Sequence, residues 1–366
     1  MILIRSALRI TPRHVSRAIT VVWLALTPLP ALTQTVPTEL LDLSIEDLFE
    51  TRVNHSESTA NDPGRWSIDV SYDVSDFEQY YIGTNKVSYD DVLFVPGTEP
   101  RTSNNYPVVP TKIRQEIQSI RVTYEISPDL TLRGQLPLVH QSTDHISIIP
   151  GYDAFNISSD GIGDIVLLAD TVVSQSVNSV LRMGTGVSIP TGSIDEEGDT
   201  PRAPGNQQLP YTMQLGSGTW DIPLLLSYQK YEENTTWGLE ANARIRTGKN
   251  DRNYALGNTY SAGAWLELPV SQSFDIGFRA DYVARDKIRG GDESLTVPIP
   301  GFPFPAPVVN PADFGGSQID ATLYATSKLS ERTRLRVRYK VPVWLDLNGP
   351  QSALDSTLSV IFSMAL

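Results

Sequence analysis

WSIDVSYDV, running from Trp66 to Val74, decides how the rest of the chain is read. Trp66, Ile68, Val70, Tyr72 and Val74 fall on one side, and Ser67, Asp69, Ser71 and Asp73 on the other. A period of two is the signature of a β-strand with one oily and one wet face. The pattern recurs. Ile120, Val122, Tyr124 and Ile126 alternate with Ser119, Arg121, Thr123 and Glu125. Trp237, Leu239, Ala241, Ala243 and Ile245 alternate with Glu240, Asn242, Arg244 and Arg246. Phe274, Ile276, Phe278, Ala280 and Tyr282 alternate with Asp275, Arg279 and Asp281. Leu335, Val337, Tyr339 and Val341 alternate with Arg334, Arg336, Arg338 and Lys340, and the chain closes on Leu358, Val360, Phe362, Met364 and Leu366.

About twelve such segments of roughly 9–13 residues follow one another, a length that crosses a bilayer at a tilt. Their connections alternate short (127–129, 175–179, 230–236, 271–273, 328–332) and long (75–112, 140–162, 191–218, 247–258, 286–317 and the modest 345–353). Short turns at one end, long loops at the other and an even strand number are the habit of outer-membrane barrels. The wet faces carry full charges, which a water-filled lumen accommodates while the other face meets lipid. The expected fold is therefore all-β: a transmembrane antiparallel up-and-down barrel over 66–366, bounded by aromatic girdles.

Composition agrees. The 366 residues carry 29 basic and 42 acidic side chains, a formal net charge of −13, which argues against nucleic-acid binding. There is no cysteine, hence no disulfide or thiolate metal site, and the four histidines are too few for a histidine-rich one. Residues 1–33 read as a signal peptide: Arg5, Arg9, Arg13 and Arg17 precede a short apolar core, AITVVWLALTPL, with ALT before Gln34 as the cleavage site. Residues 34–65 form a periplasmic segment in which LLDLSIEDLFETRV (Leu40–Val53) has helical spacing and Ser44 as its N-cap. That segment resembles the one that opens many TonB-dependent receptors.

Two glycine motifs raise the question of a nucleotide. GIGDIVLLADTVV (Gly161–Val173) and GSGTWDIPLLLSY (Gly216–Tyr228) both open Gly-x-Gly. A phosphate loop needs a helix behind its glycines, whereas an alternating strand follows each of these. They are read as punctuation where long loops re-enter the wall, and no cofactor is expected.

The C-terminal LSVIFSMAL resembles the assembly signal of outer-membrane barrels, ending in Leu366 where an aromatic is usual. From about Ile120 onward the chain also resembles the outer-membrane transporter-like family named for the meta-pathway of phenol degradation. The segments that carry this are SPDLTLRGQLPLV (Ser127–Val139), GIGDIVLLA (Gly161–Ala169), VSIPTG (Val187–Gly192) and LGSGTWDIPLLLSY (Leu215–Tyr228). The resemblance implies a porin-like channel for small, often aromatic compounds, without covalent chemistry, in the Gram-negative outer membrane. Its partners are then lipid, lipopolysaccharide, the assembly machinery and a small solute.

Strand parity points Arg121, Arg133, Arg182, Glu240, Arg244, Arg246, Glu267, Asp275, Arg279, Asp281, Arg285, Asp320, Arg334, Arg336, Arg338 and Lys340 into the lumen. The last four form a basic row able to guide an anion; alternatively they pair with Asp320 and Asp355 and brace the wall. In the 286–317 loop, VPIPGFPFPAPVVNP is stiff enough either to fold inward as a constriction bearing Phe302 and Phe304 or to project outward. The acidic Asp195–Asp199 run reads as a solvated loop able to hold divalent ions shared with lipopolysaccharide. The enzymatic rival is an outer-membrane phospholipase, which also uses a twelve-stranded barrel with a His and a Ser two residues apart. His140 and Ser142 in HQSTD supply the pair, but Thr143 and Asp144 replace the Asn-Gly that follows that family's serine, and an orienting third group is required. A purely structural or adhesive surface barrel is the third reading.

Overall fold

The computed structural model describes residues 64–366. The signal peptide and the helix expected within 34–65 lie outside the described residues. Eleven antiparallel elements make the wall: β1 (Trp66–Gly83), β2 (Val108–Glu125), β3 (Leu130–Ser147), β4 (Ile165–Ser176), β5 (Ser179–Ile189), β6 (Asp221–Glu232), β7 (Thr235–Arg246), β8 (Thr259–Ser271), β9 (Phe274–Arg285), β10 (Gly316–Lys328) and β11 (Thr333–Ala365). Each pairs with its sequence neighbour. β11 crosses twice. Arg334–Leu347 pairs with β10, and the chain then reverses so that Leu347–Ala365 pairs with β1. That second pairing closes the cylinder, gives twelve crossings and leaves the wall no exposed edge between its first and last strands.

The faces divide as period two requires. On β1, Ser67, Asp69, Ser71, Asp73 and Ser75 are buried, whereas Trp66, Val70 and Tyr72 are exposed. Elsewhere the exposed large side chains include Ile120, Leu167, Leu226, Leu239, Phe278, Leu323, Val337, Tyr339, Leu358 and Phe362. In a water-soluble sandwich this division would be inverted. Polar groups inside and a continuous oily outside are stable only against lipid, where each backbone N–H and C=O must also be satisfied within the wall. At the short-turn end, Trp66 stacks on Tyr124 with ring centroids 4.4 Å apart, and Tyr228 meets Trp237 at 5.7 Å. At the opposite end Trp220, Tyr260, Tyr282 and Trp344 face outward. These are the two interfacial girdles.

The segments 75–112 and 140–162 are not simply loops, as expected from the sequence. β1, β2 and β3 are 18 residues each, longer than a bilayer needs, and their upper halves rise past the loop-side girdle. A further strand, Ala154–Ile162, pairs along Leu138–Ile146 of β3 before the chain passes through Gly163–Asp164 into β4. On these extensions the outward face changes from oil to charge. Lys112 pairs with Glu78, and Arg114 pairs with Asp76 at 3.1 Å and with Glu116 at 2.9 Å. Alternation alone could not place this boundary, because the period continues while the outer solvent changes from lipid to water.

Candidate functional site

Three layers stack inside the barrel. The lowest, towards the short turns, is polar. Asp170 of β4 bridges Arg133 of β3 and Arg182 of β5 at 3.1 and 3.0 Å. Arg279 reaches from β9 over β8 to Glu240 of β7 at 2.6 Å and also holds Asp281 at 2.7 Å. Arg121 faces Asp69 at 3.5 Å. Arg334, Arg336, Arg338 and Lys340 alternate with the outward Val337 and Tyr339, so the basic row lies on the inner face of β11. Arg336 crosses to Glu267 of β8 at 3.4 Å, and Arg338 to Asp73 of β1 at 3.5 Å. Of the two acids expected to receive the row, Asp355 instead accepts a hydrogen bond from Gln79. Asp275 lies half-buried on β9, and Asp320 is buried on β10, where it accepts from Gln318. Charges removed from bulk water in this way are tolerable only as pairs. A cavity of about 40 Å³ remains among Arg279, Asp281, Tyr324, Arg338 and Lys340.

The middle layer is apolar. Phe77, Tyr81, Ile113, Ile117 and Val139 of β1 to β3 and Leu345, Leu347 and Leu354 of β11 turn inward and enclose Leu215, which arrives from the 190–220 loop. This loop dips into the barrel because the two glycine motifs hold it there. Asp164 accepts hydrogen bonds from the Gly192 N–H at 3.0 Å, from the Ser217 N–H at 2.9 Å and from the Ser217 hydroxyl at 2.7 Å. At Gly216 a Cβ would lie 2.4 Å from the Gly192 carbonyl oxygen. No larger residue fits that approach without movement of the backbone. Gln141 donates to the Gln214 carbonyl, and Ser159 to the Met213 carbonyl, which anchors the descending arm. Beneath the clamp, Asp221 receives both Arg246 and Arg244, with Arg246 and Asp221 wholly shielded from solvent. Arg244 and Arg246 thus sit at the rim and not along the open lumen.

The upper layer is a cap of folded loops. Val108, Tyr211, Tyr254, Leu256, Ile288, Leu295, Val309 and Phe314 pack together there. The proline-rich stretch is tied to the cap: the Val297 N–H donates to the Pro303 carbonyl, and the Val108 N–H to the Pro305 carbonyl. Under it lies a cavity of about 400 Å³, lined mostly by apolar side chains that include Phe94, Phe155, Ile149, Ile299, Phe302 and Phe304. His145 stacks on Phe155 at 4.5 Å in its wall. Its size falls within the range of small-ligand sites. The sequence offered no signal for His145, Arg101 and Arg202 as cavity residues, since His145 comes from the top of β3 and the two arginines from separate loops.

The acidic run carries ordinary contacts: Asp195 binds Arg252 at 2.7 Å, and Asp199 accepts from the Tyr152 hydroxyl. Among the described residues no cluster of acids and histidines could hold a metal ion. His140 and Ser142 both project from the outer face of β3, yet no hydrogen bond joins them, and Ser142 stands opposite Arg114 and Ser158. The geometry of a base-activated serine is not assembled there.

No curated protein sequence matches the chain. Among solved structures, an outer membrane channel from Pseudomonas putida F1 is similar over 86% of this chain and 100% of that one, at 15% identity and a TM-score of 0.55. The NanC porin covers 81% of this chain and 98% of its own at 5% identity and a TM-score of 0.41. A variant of the TodX monoaromatic hydrocarbon channel covers 83% and 90% at 10% identity and 0.41. The profile of one family matches residues 98–296, more than half of the sequence. By that match the chain belongs to the family described as "Putative MetA-pathway of phenol degradation".

Proposed function

We propose that the protein is a channel of the Gram-negative outer membrane that admits small, predominantly apolar molecules with an aromatic ring, and performs no covalent step on them. The carrying observation is the 400 Å³ cavity under the proline-rich strap, lined by rings and aliphatic side chains, in a barrel whose outside is oily and whose lower lumen is charged. A solute captured in the cap would meet the apolar layer around Leu215 next and then the paired charges below. Water-facing rings in the cap favour a solute that brings its own apolar surface. Phe302 and Phe304 act in this reading as the upper constriction. The basic row of Arg334, Arg336, Arg338 and Lys340 biases the lower path towards anions, as well as bracing it. The description of the family and the fold shared with an outer membrane channel support this reading. Lipid, lipopolysaccharide and the barrel-assembly machinery are its partners on the same reading, after removal of a signal peptide ending at residue 33.

The test is permeation. Proteoliposomes are loaded and assayed for influx of benzyl alcohol, benzoate and glucose. Faster passage of the ring compounds than of glucose, abolished by Phe302→Trp or by a cross-link fixing the strap, supports the proposal. Equal passage of all three, insensitive to the strap, rejects it in favour of a general pore.

A further inference from the structure

Arginines inside this protein are, as a rule, paired. Arg121, Arg133, Arg182, Arg244, Arg246, Arg279, Arg336 and Arg338 each have a carboxylate within 4 Å. Two arginines in the wall of the cap cavity differ. Arg101 donates from Nη1 to the Thr102 carbonyl at 2.5 Å and to Asn105 Oδ1 at 3.1 Å, and from Nη2 to the Phe304 carbonyl at 3.2 Å. Arg202 donates from Nε to the Thr200 hydroxyl at 3.4 Å, from Nη1 to the Ser294 carbonyl at 2.9 Å, and from Nη2 to the Gln208 carbonyl. All of these acceptors are neutral. The nearby acids are engaged elsewhere: Asp313 accepts from Tyr106 and Asp292 binds Arg252 at 3.0 Å. Burial disfavours the charged form of both guanidinium groups.

An apolar cavity with two cations in its wall and no anion to match is electrostatically incomplete. Its shape says what completes it. Arg101 lies over Tyr106 at 4.7 Å, Phe302 at 5.0 Å and Phe94 at 5.9 Å, so rings hold the guanidinium by its faces. A planar fork so placed matches a carboxylate better than a point charge would. The stacked His145–Phe155 pair and Phe304 offer further ring surface in the same cavity.

We propose that the cap cavity is a binding site for a monoaromatic carboxylate, its anionic end drawn to Arg101 and Arg202 and its ring held among Phe155, Phe302 and Phe304. This rests on the reading of the cavity as the mouth of the channel, and narrows the solute from an aromatic molecule to an aromatic acid.

The measurement is calorimetric titration of the full-length, detergent-purified protein at pH 7.5 with 4-phenylbutyrate, its neutral analogue 4-phenylbutan-1-ol, and octanoate. The expected result is binding of 4-phenylbutyrate about tenfold or more tighter than the alcohol, as charge-assisted hydrogen bonds allow. The Arg101→Gln/Arg202→Gln double variant should remove the preference for the acid, bringing the ratio of acid to alcohol affinity to about one, as loss of the charge-assisted bonds requires. Equal affinity for acid and alcohol in the unaltered protein overturns the proposal without recourse to any variant, and leaves the channel reading intact. Tighter binding of octanoate than of 4-phenylbutyrate overturns the assignment of a ring. Tight, charge-dependent binding of 4-phenylbutyrate with no conductance or influx supports the site and defeats the channel reading.

Discussion

Gly192 and Gly216 meet backbone to backbone: a Cβ on Gly192 would lie 2.6 Å from the Gly216 Cα and 2.5 Å from the Leu215 carbonyl oxygen. Through this contact the 190–220 loop is held down against the barrel, with Leu215 in the apolar layer. Overpacking at such a point costs roughly 1–3 kcal/mol. Gly216→Ala is therefore expected to release the loop while the barrel persists. Limited proteolysis should then cut between residues 195 and 215 faster than in the parent, with the folded barrel still migrating anomalously in unheated SDS gels.

Asp221 sits directly beneath that clamp and pairs with both Arg246 and Arg244 where all three are shielded from solvent. Removing one partner of a buried pair strands the other, at a cost of roughly 3–5 kcal/mol. Asp221→Ala should lower the urea midpoint of the reconstituted barrel accordingly. Asp195→Ala, which removes an exposed partner of Arg252, should change it by less than about 1 kcal/mol.

The Glu267–Arg336 pair ties β8 to β11 across the lower lumen. If lumen charge sets ion preference, Glu267→Gln and Arg336→Gln should move the reversal potential in a KCl gradient in opposite directions, towards anions and towards cations respectively. Bracing alone would move conductance in both variants and leave the reversal potential where it was.

Asp313 connects the cap to pH. Burial lifts its carboxyl from an ordinary 3.8 to about 6, against the opposing hydrogen bonds from Tyr106 and Asn310. The folded cap thus binds a proton more tightly than the unfolded chain. Stability from this group is complete below the ordinary carboxylate range and is lost as pH rises towards 6, a change of about 3 kcal/mol at most. Hydrogen exchange of the 291–315 loop should accelerate, after correction for intrinsic rates, between pH 4.5 and 7. Asp313→Asn, which still accepts from Tyr106, should flatten that dependence.

Much of this was legible in the sequence because lipid imposes a simple rule. Trp66 to Val74 had to alternate, and the alternation alone orients Asp69 and Asp73 inward. The basic row on β11 followed from the same parity. The partners did not: Arg336 finds Glu267, three strands away around the wall, because the barrel curves, and curvature is not written in a period of two. The height of β1 to β3 was hidden for a related reason, since Asp76, Glu78, Lys112 and Arg114 keep the period while leaving the bilayer. Phe302 and Phe304 could be placed in a stiff loop, but the seating of that loop on the cap depends on backbone contacts such as Val108 to Pro305 that no local pattern encodes. Arg101 and Arg202 were silent, being single residues in separate loops.

Because the chain has no cysteine, single cysteines can be placed at Arg336, Val337, Arg338, Tyr339 and Lys340 without altering a background. Spin labels at these five positions, in reconstituted membranes, report collision with oxygen, which concentrates in lipid, and with a water-soluble nickel chelate. Val337 and Tyr339 should collide with oxygen, and Arg336, Arg338 and Lys340 should be shielded from it. The reverse phase, or one accessibility shared by all five, would contradict a wall with lipid on one side and charge enclosed on the other.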